Sequence, residues 1–155
     1  MSSNDFTIRP VQPQDFDAWK PLWDGYNAFY GREGATALPA ETTASTWRRF
    51  FDPYEPVHAF VAQAPGGELL GITHYLFHRS TIHINGVCYL QDLFTAQAAR
   101  GKGVGRALIE AVHQRATEAG CGRLYWHTRE ENATARALYD QVAVRSGAIV
   151  YLIPM

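Results

Sequence analysis

Residues 100–106 read Arg-Gly-Lys-Gly-Val-Gly-Arg, three glycines alternating with other residues where a strand-like run (87–95) hands over to a run of helical period (107–120). Glycine loses more conformational freedom on folding than any other residue, so a cluster of it marks a place that needs bare backbone. The first turn of a helix has unpaired N–H groups and a partial positive charge. With no side chains in the way, a phosphate can approach those groups closely. Arg100, Lys102 and Arg106 add positive charge to the same turn. The spacing is not that of a P-loop, G-x-x-x-x-G-K-[ST]. It is not G-x-G-x-x-G either, because Arg106 stands where the third glycine belongs, and the next strand ends in Trp-His-Thr rather than an acid. The chemistry expected is phosphate binding outside both common nucleotide frames.

The elements that hold this turn can be read along the chain. Residues 6–11 read as a short first strand, and Pro13 and Asp15 open a helix near 15–30. Phe16, Trp19, Trp23, Tyr26 and Tyr30 fall three and four apart, on one face of that helix. Residues 31–39 form a loop. Thr42 or Thr43 could cap a second short helix running through Phe51. Alternating runs at 57–64, 68–78 and 87–95 read as strands, with turns at 65–67 and Asn85-Gly86. Val104, Leu108, Ala111, Val112, Ala116 and Ala119 trace the apolar stripe of a helix that Gly120 stops. Residues 123–128 are a strand, 132–143 a helix with Asn132 placed to cap it, and 148–154 a final strand. The order β-α-α-β-β-β-α-β-α-β implies an α/β (α+β) domain built on one mixed sheet flanked by helices.

Bulk properties narrow the classes. A chain of 155 residues suits one domain with a real core. A net charge of −1 gives no basic footprint for nucleic acid. No run approaches a membrane span, and the first ten residues lack an apolar leader core. Cys88 and Cys121 offer no metal spacing and read as buried thiols of a reducing, cytoplasmic setting. No metal is expected; His74 and His78, four apart in a strand, have no third ligand in register.

Arg100-x-x-Gly103-x-Gly105 resembles the Q/R-x-x-G-x-G/A pyrophosphate loop of the GNAT superfamily of acyl-CoA-dependent N-acetyltransferases. The resemblance extends over residues 89–140 and is strongest to the branch of diamine, histone, polyamine and D-amino-acid acetyltransferases. It implies one N-acetyltransferase domain over 1–155, with acetyl-CoA as the acyl donor. By this resemblance Leu93, Phe94 and Thr95 offer backbone groups to the pantetheine arm, and the amides of Gly101, Lys102, Gly103, Val104, Gly105 and Arg106 hold the pyrophosphate. The motif N-x-x-A-x-x-x-Y is present as Asn132, Ala135 and Tyr139. Asn132 would contact the cofactor arm and Tyr139 would face the sulfur. The family's Gly-Phe pair after that tyrosine is missing; Gly147-Ala148 stands in its region, so the acceptor wall departs from the pattern.

The chemistry implied is attack of an amine on the acetyl thioester. An ammonium must first lose a proton, and Asp92, Glu130 and His127 are the candidate acceptors, Asp92 foremost. A backbone N–H near Phe94, on the opened end of the strand, would stabilise the oxyanion. Tyr139, a phenol with an ordinary pKa of about 10, is a competent acid toward the departing thiolate. In the family the region of the first two helices walls the acceptor, so Trp23, Tyr26, Tyr30, Glu33 and His74 are candidate substrate contacts. The expected acceptor is a small-molecule primary amine such as a polyamine or amino acid. A protein lysine or N-terminus is the alternative, and a non-catalytic acyl-CoA sensor a second. The apolar last strand, a sheet edge, implies a homodimer formed through the C-terminal region.

Overall fold

The computed structural model describes residues 5–155; residues 1–4, part of the stretch considered for a leader, lie outside the described residues. Five strands form one sheet in sequence order: β1 (Thr7–Pro10), β2 (Val57–Gln63), β3 (Leu69–His78), β4 (Val87–Thr95) and β5 (Leu124–Tyr125). The first four pair antiparallel, and β5 runs parallel to β4. That parallel step requires a crossover, which α3 (Val104–Glu118) supplies.

The sheet is covered on both faces. On one lie α1 (Phe16–Phe29) and α2 (Ala40–Arg49), and Trp19, Trp23 and Tyr26 of α1 pack with Ala59, Val61 and Ile72 of the sheet. On the other lies α3, whose Ile109, Val112 and Ala116 meet Tyr75, Cys88 and Leu90. Leu138, Tyr139 and Val142 of α4 (Ala133–Val142) join that second cluster. Trp19 has no exposed surface. Its truncation to Ala would cost about 3–5 kcal/mol by the usual scale for large buried side chains. The N-terminal end of α1 is tied to β1, since Arg9 donates from both terminal nitrogens to Asp15, at 2.7 and 2.9 Å.

Strand β4 is irregular in two places. Opposite His74 and Tyr75 the pairing jumps from Asp92 to Leu90, so Gln91 is an extra residue on β4. Such a bulge re-aims the side chains beyond it. Strands β4 and β5 also diverge, pairing only at Cys88–Leu124 and Tyr89–Tyr125. Cys88 lies at that junction with no exposed surface, and its amide bonds the carbonyl of Arg123. Burial, with the neighbouring Cys121 second, pushes its thiol up to about 12. Both cysteines are free thiols.

Three expectations need correction. Residues 148–154 form no strand; Ile149, Val150, Tyr151, Leu152 and Ile153 are exposed. A strand needs a neighbour to complete its ladder, and β5, the edge strand beyond β4, offers only two residues. Helix α2 starts at Ala40, ahead of both proposed caps, and Thr43 inside it is buried, its hydroxyl accepting from the Trp23 indole at 3.2 Å. Asn132 stands at the start of α4 but makes no capping bond; its amide donates instead to the Thr128 hydroxyl at 3.3 Å.

Candidate active site

The glycines of 100–106 divide their work. Gly101 and Gly103 adopt φ of 79° and 82°, a region that L side chains avoid. Gly105 has ordinary backbone, but a Cβ there would stand 3.3 Å from the Leu138 side chain, so its bareness lets α3 approach α4. The Val104 side chain is core, against Ala62, Ala99 and Leu108. Among the described residues no main-chain acceptor takes the amides of 101–106, and the first bond of the helix runs from Ala107 to Gly103. A row of free donors at a helix start is the complement of a phosphate.

The cations of this turn are partly committed. Arg100 folds back, its Nε donating to the Thr95 carbonyl at 3.3 Å and its guanidinium 5.9 Å from the Phe94 ring. Arg106 reaches across to Gln141 of α4 at 2.6 Å. Lys102 is exposed.

Beside the turn, β4 offers an edge that β5 has left. The Ala96 amide bonds the Leu70 carbonyl and so faces β3. Main-chain direction alternates along a strand. Phe94, two residues earlier and opposite Ile72, therefore also turns its amide to β3. Leu93 and Thr95 turn theirs to the bare edge. The outward amide near Phe94 is therefore that of Leu93, because the Gln91 bulge changes which residues point outward. The Phe94 side chain packs under α1, where a Cβ on Gly25 would meet its ring at 2.9 Å.

On the α1 side, a cavity of about 540 Å³ is lined by Trp23, Tyr26, Tyr30, Arg32, Arg49, Phe50, His74 and Asp92, among others. The α1 aromatics form its wall as a ladder. Trp23 stacks on Trp19 with ring centres 5.7 Å apart, Tyr26 on Trp23 at 5.6 Å, and Tyr30 follows at 5.0 Å. The same face thus serves as core at Trp19 and as cavity wall toward Tyr30. Asp92 is buried, and its Oδ2 lies 2.9 Å from His74 Nδ1. Burial, then the charge of Asp92, raises the Tyr26 phenol well above the usual range. Arg32 was not foreseen. Its Nε donates to Asn27 Oδ1 at 2.7 Å, while the Asn27 amide is fixed on the Trp23 carbonyl at 2.9 Å. Among the described residues its guanidinium has no carboxylate partner. A lone Arg in a polar loop carries no sequence signal of such a role.

Tyr139 of α4 stands edge-on to Trp126 with ring centres 5.4 Å apart, both packed on the α3-side cluster. Burial, with the nearby Tyr30 phenol second, pushes its hydroxyl up to about 12. It is therefore a phenol, not a phenolate, at neutral pH. Asn132 and Ala135 of the same helix are partly buried. Other expected contacts lie elsewhere. Glu33 lines a neighbouring groove between α1 and α2 that shares Asn27, Arg32 and Leu38 with the cavity. His127 is exposed and bonded to the Tyr89 hydroxyl at 3.2 Å, and Glu130 is exposed, 3.9 Å from Arg145. His78 faces Tyr125, also away from the cavity. Among the described residues no three His, Cys, Asp or Glu side chains are grouped as a metal site would require.

The described residues thus offer a bare-edged strand, a glycine turn of free amides and a carboxylate in an aromatic cavity. The chain belongs to the acetyltransferase (GNAT) family, whose model matches residues 19–143. It is 36% identical over 152 residues to the D-amino-acid N-acetyltransferase HPA3 of Saccharomyces cerevisiae, covering 97% of this chain and 92% of that one. Among solved structures it resembles a ribosomal-protein-alanine N-acetyltransferase from Brucella melitensis biovar Abortus, with TM-score 0.81, 21% identity and 97% of each chain covered. It also resembles the aminoglycoside acetyltransferase AAC(6')-Iy in complex with a bisubstrate analogue, with TM-score 0.79, 17% identity, and 97% and 98% covered. The chain is an acetyl-CoA-dependent N-acetyltransferase, and the expected family and sheet architecture stand.

Proposed function

We propose that the chain, one domain over its 155 residues, acetylates the amine of a small molecule, and that the preferred acceptor is an amino acid. The observation that carries this is the charge arrangement of the cavity: one buried carboxylate, Asp92, among aromatic rings, with the Arg32 guanidinium on the lining and no carboxylate beside it among the described residues. An ammonium would be held at Asp92 and a carboxylate at Arg32. A polycation would find one partner and one repulsive charge. The relationship to a yeast D-amino-acid N-acetyltransferase supports the same reading.

In this reading bound acetyl-CoA supplies an activated acetyl thioester, its diphosphate on the amides of 101–106 and its arm along Leu93, Thr95, Asn132 and Ala135. Asp92 takes the proton of the acceptor ammonium, freeing the lone pair that forms the new C–N bond. The Leu93 amide stabilises the negative charge that develops on the thioester oxygen. As the C–S bond breaks, Tyr139 gives its proton to the departing sulfur, and the phenolate takes up the second proton that the acylated nitrogen sheds. The test is thiol release from acetyl-CoA with D- and L-amino acids, polyamines, an aminoglycoside and a lysine peptide, for the wild type and Arg32→Ala. Amino acids should be preferred, and Arg32→Ala should raise their KM about tenfold or more while leaving polyamines unchanged or improved. Preference for the peptide or for polyamines would refute the acceptor class.

Two further properties belong to the same reading. The exposed apolar run at 149–153 supports a homodimer formed through the C-terminal segment. Sedimentation should give a dimer that removal of residues 148–155 converts to a monomer. The two free thiols suit a cytoplasmic setting; among the described residues no helix is long and apolar enough to cross a membrane.

A further inference from the structure

His74 has both ring nitrogens engaged and only 2% of its surface exposed. On one side the Trp19 indole N–H lies 3.0 Å from Nε2. On the other, Nδ1 lies 2.9 Å from Asp92 Oδ2. An indole nitrogen donates and never accepts, so Nε2 must present a lone pair. In the neutral ring the remaining proton is then on Nδ1, where it points at the carboxylate. The alternative tautomer would set two N–H groups against each other at Nε2 and two lone pairs against each other at Nδ1. The ring cannot turn to escape, because Trp19, Trp23 and Phe50 pack around it at 5.8, 5.2 and 4.8 Å between centres. The Asp92 main chain is held as well, its carbonyl accepting from the buried Thr73 hydroxyl at 2.8 Å.

We propose that His74 is a positioning residue for the acyl transfer, and that Trp19 of α1 selects the His74 tautomer that orients Asp92. The proposal rests on the reading of Asp92 as proton acceptor. The chemistry of the pair explains the choice of residues. A carboxylate facing an Arg or Lys would be matched by a full positive charge and would hold an ammonium poorly. A carboxylate with no donor would be free to rotate away from the acceptor. A neutral imidazole donating from Nδ1 fixes the carboxylate and leaves its negative charge uncompensated. The other charged or titratable groups around the cavity are Tyr26 of α1, Tyr30 just past its end, Arg32 of the following loop, Arg49 of α2 and Tyr75 of β3. None of them takes part in either bond of the imidazole. The indole of Trp19 therefore acts on the chemistry through His74 without touching the substrate.

The experiment has two arms on the full chain. In the first, protein labelled with ¹⁵N-histidine is examined by long-range ¹H–¹⁵N correlation, with the His74 signals assigned by their loss in His74→Asn. His74 should show the Nδ1–H tautomer in the wild type and lose that exclusivity in Trp19→Phe. An Nε2–H tautomer in the wild type overturns the proposal. In the second, kcat/KM for the best amine is compared in His74→Asn, His74→Leu and Trp19→Phe, each with coenzyme A affinity and melting temperature measured. The Asn side-chain nitrogen can stand where Nδ1 does, so His74→Asn should stay within a few-fold of wild type. His74→Leu and Trp19→Phe should lose about 10- to 100-fold, the usual worth of a hydrogen bond to a charged group. Equal activity of the Asn and Leu variants overturns the positioning role. Asp92→Asn separates the two ideas: full activity there refutes the reading of Asp92 while the tautomer measurement still decides what Trp19 does.

Discussion

The glycine turn at 100–106 and the aromatic cavity around Asp92 flank the same half of β4, yet they are built in opposite ways. On the proposed reading the turn works through main-chain amides; three of its residues have no side chain, Val104 points into the core and Arg106 onto Gln141, and Lys102 is exposed. Its working groups lie within one short stretch of chain. The cavity works through side chains brought from α1, β3 and β4, with Trp19, His74 and Asp92 separated by 55 and 18 positions. One site is a property of local backbone geometry. The other exists only when a helix packs on a sheet. The difference suits a donor that is the same for a whole family and an acceptor that each member chooses.

If the division is real, substitutions should sort cleanly between donor affinity and acceptor turnover. The largest effect is expected for Asp92→Asn: kcat/KM for the amine should fall about 10²- to 10⁴-fold, the range of a lost general base, with coenzyme A affinity by calorimetry unchanged. A parallel loss of coenzyme A affinity would break the division. Tyr139→Phe should lower kcat by about 10²-fold. Because burial raises the Tyr139 hydroxyl to about 12, it keeps its proton below that pH. The ratio of wild-type to Phe-variant rates should therefore stay flat from pH 7 to about pH 10. Gly103→Ala should act on the other side only. Forcing a Cβ at φ 82° costs about 1–2 kcal/mol, so coenzyme A should bind about 5- to 30-fold more weakly, with the acceptor KM at saturating donor unchanged.

The smallest effect is expected for Asp15→Asn, which loosens the anchor of α1. The hydrogen bonds from Arg9 come first among the causes that hold the Asp15 carboxyl below its usual range. A carboxyl lowered in the folded state stabilises above its unfolded pKa of about 4, and that stability is lost as pH falls through the folded value. Calorimetry should find the variant less stable by about 2 kcal/mol at pH 7, with the gap closing below pH 4. Its acceptor KM should rise a few-fold while coenzyme A affinity holds.

The same contrast decides what could be read before folding. The turn was legible because spacing alone displays it: glycines, a helix stripe after them and a strand before. The three pairing strands of the middle and the aromatic face of α1 were legible from their periods. What was not legible needed a partner. The Trp19–His74–Asp92 chain joins residues that no spacing rule connects, and Arg32 acquires its place only through Asn27 and Trp23. The Gln91 bulge leaves no mark in composition, so the sequence locates an outward amide only to the neighbourhood of Phe94, and the register narrows it to Leu93. The run at 148–154 has the residues of a strand but no ladder to join among the described residues. Glu33, His127 and Glu130 had suitable chemistry at nearby positions in the chain, but the fold sets Glu33 in the neighbouring groove and leaves His127 and Glu130 exposed.

Cys88 sits where β4 and β5 part, sealed from solvent and with its thiol far from ionised at neutral pH. Alkylation there demands that the seam open first, so the labelling rate of this sulfur is a clock for the breathing of the two strands. Run with and without coenzyme A, that clock would time how firmly the donor, seated as proposed, staples the parted strands together, with no mutation.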